Sequence, residues 1–595
     1  MGHYKSNLRD IEFNLFEVNR IQDYQANWTD LDRETITDII TEIERLARED
    51  YSASYVDQDR MPLELVDGEV TLPDSVKASV AAFRDGGWDR LGLPEEMGGR
   101  EAPPSLIWAM SEMLLAANTT VQFYAGGSLF ARVLFEEGTD VQKDFAKLWV
   151  EKGWAGTMVL TEPDAGSDVG AGIAKATAQG DGTWHIEGVK RFITSGEHDV
   201  TENIIHLVLA RPEGAAPGTK GLSLFVVPKY LVDNNGEIGA RNGVIATSIE
   251  KKMGLKGSTT CELTFGTDVP AVGYLVGDRH DGIRQMFRVI EYARMMIGAK
   301  AMGTLSTGYR HALEYAKERR QGADLTESTD KTAPRVPIID HPDVRRMLIT
   351  QKAHAEGMRA LLMYTAWVQD QARLHPDDER WENRNDLLLP LVKGYSSEKA
   401  YELLSTALQV FGGSGYTQDY PLEQYIRDAR IDSIYEGTTG IQALDLFFRK
   451  IARDQGATLA ALAGEIVEFV KGGGDGDPFT EERGLLGGML DDTQAHLGSM
   501  VEDLMASLSG RSEAIYEVGL QTNHLLESMA ETVIAWLLLR HAEIAIEKID
   551  EDPFYRGKVE SARWFVRHTA PKATLRRSGA EAEDGHLMSI PVAAF

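Results

Sequence analysis

Between residues 156 and 285 the chain is built of short runs rich in β-branched and aromatic residues, separated by Gly, Asp and Pro. Trp184 to Ser195, Ile204 to Ala210, Leu222 to Val227 and Thr260 to Phe265 are examples. No helical pattern separates consecutive runs. That excludes a sheet wound from strand–helix–strand units and predicts antiparallel strands in a small barrel or sandwich. The flanks read differently. Helical texture with Pro/Gly breaks such as Gly92 to Gly99 precedes the β block, and helices rich in Ala, Leu, Met, Arg and Glu follow it. The expected fold is mainly α with a central β domain. Its divisions are an N-terminal extension (1–37), an N-terminal helical domain (38–155), a middle β domain (156–285), a helical bundle (286–460) and an additional C-terminal helical domain (461–595). The polar stretch Gln321 to Pro337 reads as a loop, and Lys471 to Pro478 as a flexible break. Beyond the break, Leu526, Met529, Ala530, Val533, Ile534 and Leu537 mark one apolar helical face.

Charge narrows the function. Lys and Arg total 62 against 92 Asp and Glu, a formal charge of −30, which argues against a nucleic-acid partner because phosphate binding needs a basic footprint. Cys261 is the single cysteine, so an intramolecular disulfide, a CxxC pair and a multi-cysteine zinc site are all excluded. The histidines show no ligand spacing, and no metal site is expected. The longest strongly apolar stretch, Val533 to Leu539, falls far short of the roughly 18 residues a spanning helix needs. Without a secretory pattern at the N-terminus, a reducing, cytoplasmic setting is expected.

Three stretches stand apart chemically. Leu160 to Asp168 clusters hydroxyls, carboxylates and turn formers, suited to a phosphate or the edge of a polar heterocycle, though an Asx-capped turn is the plainer reading. Lys190 to Gly196 ends a strand with an aromatic and a hydroxyl, suited to packing on a flat cofactor, or to a half-buried strand end. In Ile434 to Gly440, Glu436 sits among apolar and small residues, where desolvation favours a general base; a loop glutamate near a helix end is the plainer reading.

Taken together and in order, these stretches resemble the acyl-CoA dehydrogenase family of flavoenzymes. The resemblance runs from about residue 85 to 450 on LGLPEEMGG (91–99), MVLTEPDAGSD (158–168), KRFITSG (190–196), KMGLKGSTTCELTF (252–265), DGIRQM (281–286), QVFGGSGY (409–416) and YIRDARIDSIYEGTTGIQ (425–442). The N-terminal HYKSNLRDIEFNLFEV (3–18) and the extra C-terminal region are similar to the subgroup of about 600 residues, whose members handle fatty acyl-CoAs or methylthiopropionyl-CoA. The resemblance implies FAD between the β domain and the second helical domain, with an acyl-CoA thioester against the flavin. Glu436 would be the catalytic base, removing the α-proton while the β-hydrogen leaves as hydride. The backbone N–H of Glu436 and a ribityl hydroxyl would polarise the thioester carbonyl.

The same resemblance assigns the surrounding residues. Cofactor contacts fall to Met158, Leu160, Thr161, Ser167, Phe192, Thr194, Arg319, Gln409, Gly412, Gly413 and Thr438, with Gln409, Gly412 and Gly413 serving the cofactor of a neighbouring subunit. Substrate contacts fall to Ser167, Glu291, Arg294, Tyr435 and Gly437. The implied partners are an acyl-CoA, an electron-transfer flavoprotein and a second copy of the chain in a homodimer. The chain departs from the family pattern after Arg319, where Arg320 to Asp324 replaces a common Arg-x-x-Phe-Gly, and at Gly440, where glutamine is frequent. The reading is α,β-dehydrogenation of a medium- to long-chain acyl-CoA to the trans-2-enoyl-CoA, the first step of fatty-acid β-oxidation. Methylthiopropionyl-CoA dehydrogenation, an O2-using acyl-CoA oxidase and a flavin-free scaffold are the alternatives.

Overall fold

The computed structural model describes residues 2–28, 31–233, 235–474 and 476–595; within the expected 471–478 break, Asp475 lies outside the described residues. The chain divides into two compact units. One comprises residues 1–6 and 25–296, the other 7–24 and 297–595, with the boundary inside the helix Gly282–Glu318.

In the first unit, helices precede the sheet. Arg33–Leu46 buries Ile36, Ile40, Ile43 and Leu46 at helical spacing, and the Asp32 side chain caps its start by accepting from Thr35 N–H at 2.7 Å. Asp140–Lys152 opens on a capping box between Thr139 and Gln142 and closes on Gly153 in the left-handed region. Gln142 also donates to the Leu275 carbonyl at 2.6 Å, fastening the start of that helix to a strand of the sheet.

Five strands close a circuit. Trp184–Thr194 pairs with Ala271–Leu275, which pairs with Ser223–Pro228, then Ile204–Pro212, then Lys175–Ala178, which returns to Trp184–Thr194. Thr260–Phe265 and Val244–Ile249 extend the sheet on one side, and Ala155–Val159 on the other. The small barrel is therefore present, but its strands are not all antiparallel. Ile204–Pro212 runs parallel to both Ala155–Val159 and Lys175–Ala178. The long excursion from 160 to 203 supplies the return that a parallel pair needs, and local alternation carries no information about direction. Ile204–Pro212 is buried on both faces: Val208 and Ala210 pack with Trp184 and Phe225, while Ile205, Leu207 and Leu209 pack with Trp149 and Trp154.

The second unit is helical. Gly282–Glu318, Pro342–Leu374 and Glu379–Phe411 contribute its first long helices, and Ala457–Lys471, Thr480–Leu508, Ala514–Ile546 and Pro553–Glu581 its last four. Ala514–Ile546 is apolar on more than one face: every residue from Ser528 to Leu539 is buried. The single stripe read from sequence is too narrow because this helix packs against neighbours on several sides. Glycines allow two of those approaches. A Cβ at Gly357 would meet Ile534 at 2.5 Å, and one at Gly394 would meet Leu526 at 2.9 Å. The expected 321–337 loop carries a short hairpin, with Arg320–Ala323 paired to Arg335–Pro337. Its exposed polar residues lack the apolar alternation that signals a strand from sequence. Among the described residues, no helix is long and apolar enough to cross a membrane.

Residues 7–24 are stitched into this unit by charge. Asp10 is fully buried and pairs with Arg359 at 2.6 Å and Lys558 at 2.8 Å. Burial opposes ionisation of its carboxyl, but the charges of Lys558 and Arg359 and their hydrogen bonds hold it well below the usual carboxylate range. Removing Asp10 leaves two buried cations short of a partner. Asp10→Ala is expected to lower stability by about 3–5 kcal/mol, read as a fall in the denaturation midpoint. Because the folded carboxyl is depressed, its contribution is complete above the ordinary value of 3.8 and fades as pH falls below it. The wild-type advantage over Asp10→Ala is thus expected to shrink in acid, measurable by melting both proteins across pH.

Candidate functional site

The first unit gathers one set of candidate residues where Ala155–Val159 ends beside Trp184–Thr194. Lys190 is buried and its Nζ donates to the Leu160 carbonyl and to Glu162 Oε1, both at 2.8 Å. Glu162, also buried, accepts in addition from the backbone N–H groups of Ile173 and Ala174. Burial pushes the Glu162 carboxyl up, but the Lys190 charge and these hydrogen bonds outweigh it and hold the group below its ordinary value. The Glu162 carboxylate thus ties the two ends of the 162–174 loop together, with Lys190 as its counter-ion. Arg191 N–H donates to the Thr161 carbonyl at 2.9 Å, which brings Thr161 alongside Phe192 and Thr194. Thr161 and Thr194 are half-buried, as are Met158 and Leu160, which pack on the apolar core. Next to Met158, Thr157 Oγ1 lies 2.7 Å from Nδ1 of His206, whose imidazole is pushed down to about 3 by burial and by the nearby Arg241 and Lys229 charges.

Phe192 is 55% exposed and has a left-handed backbone, φ 60°. The pairing explains both. Ile193 faces Cys261 and Lys190 faces Leu263, so Arg191 and Phe192 together oppose a single residue, Glu262. This β-bulge turns the ring outward from the strand. Ser167 is exposed in the pinned loop. Glu291 and Arg294 lie one turn apart on Gly282–Glu318, the first half-buried and the second buried.

The second unit holds two further groups. Tyr315, one turn before Arg319, stacks on Phe411 at 4.3 Å between ring centres and donates to Ser414 Oγ at 3.5 Å. That sets the helix end bearing Arg319 beside the turn Gly412–Tyr416. Arg319, Gln409, Gly412 and Gly413 are all exposed, and a Cβ on either glycine would meet nothing within 4 Å. The other group is the loop Tyr435 to Thr438. The Tyr435 hydroxyl donates to Asp432 at 3.1 Å, and Asp432 pairs with buried Lys300 at 2.5 Å. Burial, then the Asp432 carboxylate, raises the Tyr435 phenol well above its ordinary value. Glu436 is half-buried with φ 58°, followed by Gly437 at φ 88°. A left-handed glutamate costs about 1–3 kcal/mol and persists only where its surroundings impose it. Gln442, fully buried, donates to the Glu436 carbonyl at 3.0 Å and the Gly437 carbonyl at 3.4 Å. Lys393, also fully buried, donates to the Gly437 carbonyl at 2.5 Å. Thr438 caps Thr439–Leu444 by accepting from Ile441 N–H at 3.3 Å, which leaves its own hydroxyl proton to donate. Lys393 and Gln409 stand 16 positions apart on Glu379–Phe411, about 24 Å along the axis at 1.5 Å per residue.

Sequence reasoning named neither Lys393 nor the Glu162–Lys190 pair. A signal for Lys393 exists: it ends the apolar run Leu387 to Val392, where a charge is buried only with a partner.

Three family models match the chain. They are the acyl-CoA dehydrogenase middle domain over residues 157–267, the acyl-CoA dehydrogenase C-terminal domain over 280–449, and the acetyl-CoA dehydrogenase C-terminal-like domain over 462–591. The broad-specificity linear acyl-CoA dehydrogenase FadE5 of Mycobacterium tuberculosis is 52% identical over 612 residues, spanning 100% of both chains. The 3-methylmercaptopropionyl-CoA dehydrogenase of Ruegeria pomeroyi is 34% identical, spanning 97% of each. The crystal structure of an acyl-CoA dehydrogenase complexed with FAD from Bacillus anthracis shares the fold with a TM-score of 0.73 at 20% identity, covering 94% of this chain and 91% of that one.

The pinned loop offers a direct check. Glu162→Gln leaves Lys190 buried against a neutral partner and is expected to cost about 3–5 kcal/mol. An unchanged denaturation midpoint would show that the ion pair does not hold the loop.

Proposed function

The chain belongs to the acyl-CoA dehydrogenase family, and from that premise we propose that it is an FAD-dependent enzyme that dehydrogenates linear acyl-CoA thioesters to trans-2-enoyl-CoAs and delivers the electrons to an electron-transfer flavoprotein. The observation that carries the reading is the loop around Glu436, where buried side chains hold a carboxylate-bearing residue in a backbone conformation it would not adopt alone.

The β domain fits a flat heterocycle with a hydrogen-bonding edge. Phe192, turned outward by its bulge, offers an aromatic face, and Thr161 and Thr194 offer hydroxyls beside it. When bound, FAD supplies the acceptor for the β-hydrogen, taken as hydride, and a store for the two electrons. The chain's own groups do the rest. A carboxylate oxygen of Glu436 takes the α-proton, and the electron pair of that C–H bond becomes the new C=C bond. The Glu436 N–H is assigned to the thioester oxygen, where negative charge develops as the proton leaves; a fixed donor there lowers the barrier without reorganising. Tyr435 and Gly437 are assigned to the substrate. Ser167, Glu291 and Arg294 are assigned to the CoA arm, and Met158, Leu160 and Thr438 to the cofactor. Arg319, Gln409, Gly412 and Gly413 form an exposed group about 24 Å along one helix from Lys393, which holds the Glu436 loop. That separation supports a homodimer in which Gln409, Gly412 and Gly413 serve the partner's cofactor, with Arg319 assigned to a cofactor diphosphate. A broad linear acyl range is favoured by the 52% identical relative over methylthiopropionyl-CoA.

The purified protein is expected to show a flavin spectrum that bleaches on anaerobic addition of palmitoyl-CoA or octanoyl-CoA. A well-placed base contributes about 10²–10⁴ in rate, so Glu436→Gln is expected to retain its colour and bleach slower by that factor. A protein that stays colourless when FAD is supplied would overturn the flavoenzyme reading, and wild-type bleaching by Glu436→Gln would remove Glu436 from its role.

A further inference from the structure

Lys393 has no access to solvent, and its ammonium donates to a backbone carbonyl, that of Gly437. Water or an N–H group satisfies the carbonyl of an ordinary loop. A buried lysine is an expensive substitute, because an ammonium leaves water only at a large desolvation cost. What distinguishes this carbonyl is its place, directly after two consecutive residues in the left-handed region, Glu436 and Gly437. Gln442 reaches the same carbonyl and the one before it. Two buried side chains therefore take hold of two successive peptide planes. The Glu436 carbonyl fixes the plane between Glu436 and Gly437, and the Gly437 carbonyl fixes the next one. The two planes meet at the Cα of Gly437 and fix its backbone angles, and the first of them also bounds Glu436 on its C-terminal side, which restricts the ψ of Glu436. Gly437 accepts this geometry because it lacks a Cβ, which would stand 2.7 Å from Gln442 Nε2. Lys393 also acts on Asp432, which pairs with Lys300 and accepts from the Tyr435 hydroxyl. The residue before Glu436 is thus tied into the same buried polar cluster.

We propose that Lys393 is a positioning residue for proton abstraction: through the Gly437 carbonyl it holds the Glu436 carboxylate in line with the α-hydrogen of the acyl-CoA. The role rests on Glu436 being the base. It predicts a defect in the chemical step with acyl-CoA affinity preserved, because Lys393 acts from behind the loop and not from the substrate side.

The test uses flavin-loaded, full-length protein and the limiting rate of anaerobic bleaching by octanoyl-CoA, with the half-saturating concentration measured alongside. Displacing a reacting group by about 1 Å costs about 100-fold. Lys393→Met is expected to lose about 10- to 100-fold in limiting rate with half-saturation unchanged. Gln442→Met is expected to fall in the same direction, and Lys393→Arg to recover part of the loss. A Lys393→Met protein that bleaches at the wild-type limiting rate, or that loses affinity in place of rate, overturns the positioning role while Glu436→Gln remains impaired. Wild-type bleaching by Glu436→Gln removes the base assignment and this role with it. Should Lys393→Met fail to fold, wild-type limiting rates in both Gln442→Met and Lys393→Arg overturn the proposal.

Discussion

A charge enters a protein interior only if its partners are waiting, and this chain uses that constraint wherever a candidate site needs a fixed backbone. Lys190 meets Glu162 behind the 162–174 loop, Lys300 meets Asp432 behind Tyr435, and Lys393 meets the Gly437 carbonyl behind Glu436. In each case the ion is nearly or fully buried; Glu162 and Gly437 lie on irregular backbone, and Asp432 on the short 3-10 turn Arg430–Ser433 that leads into the Glu436 loop. An apolar contact slides. A desolvated ammonium does not, because moving it away from its acceptor leaves an unpaired charge in a low-dielectric interior. Rigidity is thus placed behind each candidate site.

The helix Glu379–Phe411 links the Glu436 loop to the rest of the second unit. Lys393 reaches that loop, and Glu398 accepts from the Thr439 hydroxyl at 2.6 Å, just past it. The helix also rests on Ala514–Ile546. Gly394, next to Lys393, admits Leu526, and the Tyr395 hydroxyl donates to buried Glu531, which pairs with Arg576 at 2.7 Å. The C-terminal helices are therefore packed against the element that holds the loop, one residue away from the lysine that does so.

Much of this was legible in the sequence and some was not, for physical reasons. The β block announced itself because short β-branched runs with Gly and Pro between them have few other folds, and Thr260 to Phe265 forms a strand with the bounds read from it. Strand direction was not legible: Ile204–Pro212 looks the same whether its neighbours run parallel or antiparallel. The motif order named the family, yet a motif says nothing of backbone angles. Of the eight non-glycine residues with positive φ among those described, Phe192, Ser195, Leu255 and Glu436 fall within the matched stretches. The side chains of Phe192 and Glu436 drew attention, but the conformation that presents them is imposed by partners distant in sequence. Lys393 stands 44 positions from Gly437, and no local pattern joins them.

The ion pair between Asp10 and Lys558 spans 548 positions. Synthesis runs from the N-terminus, so the segment 7–24 emerges long before its buried partner. Until Pro553–Glu581 has left the ribosome, Asp10 has no complete cation set to bury against. The second unit therefore cannot close in the order in which it is made. The barrel and the helices before it lie wholly within residues 25–296 and can fold while the remainder is still being translated. Residues 7–24 must wait for Pro553–Glu581.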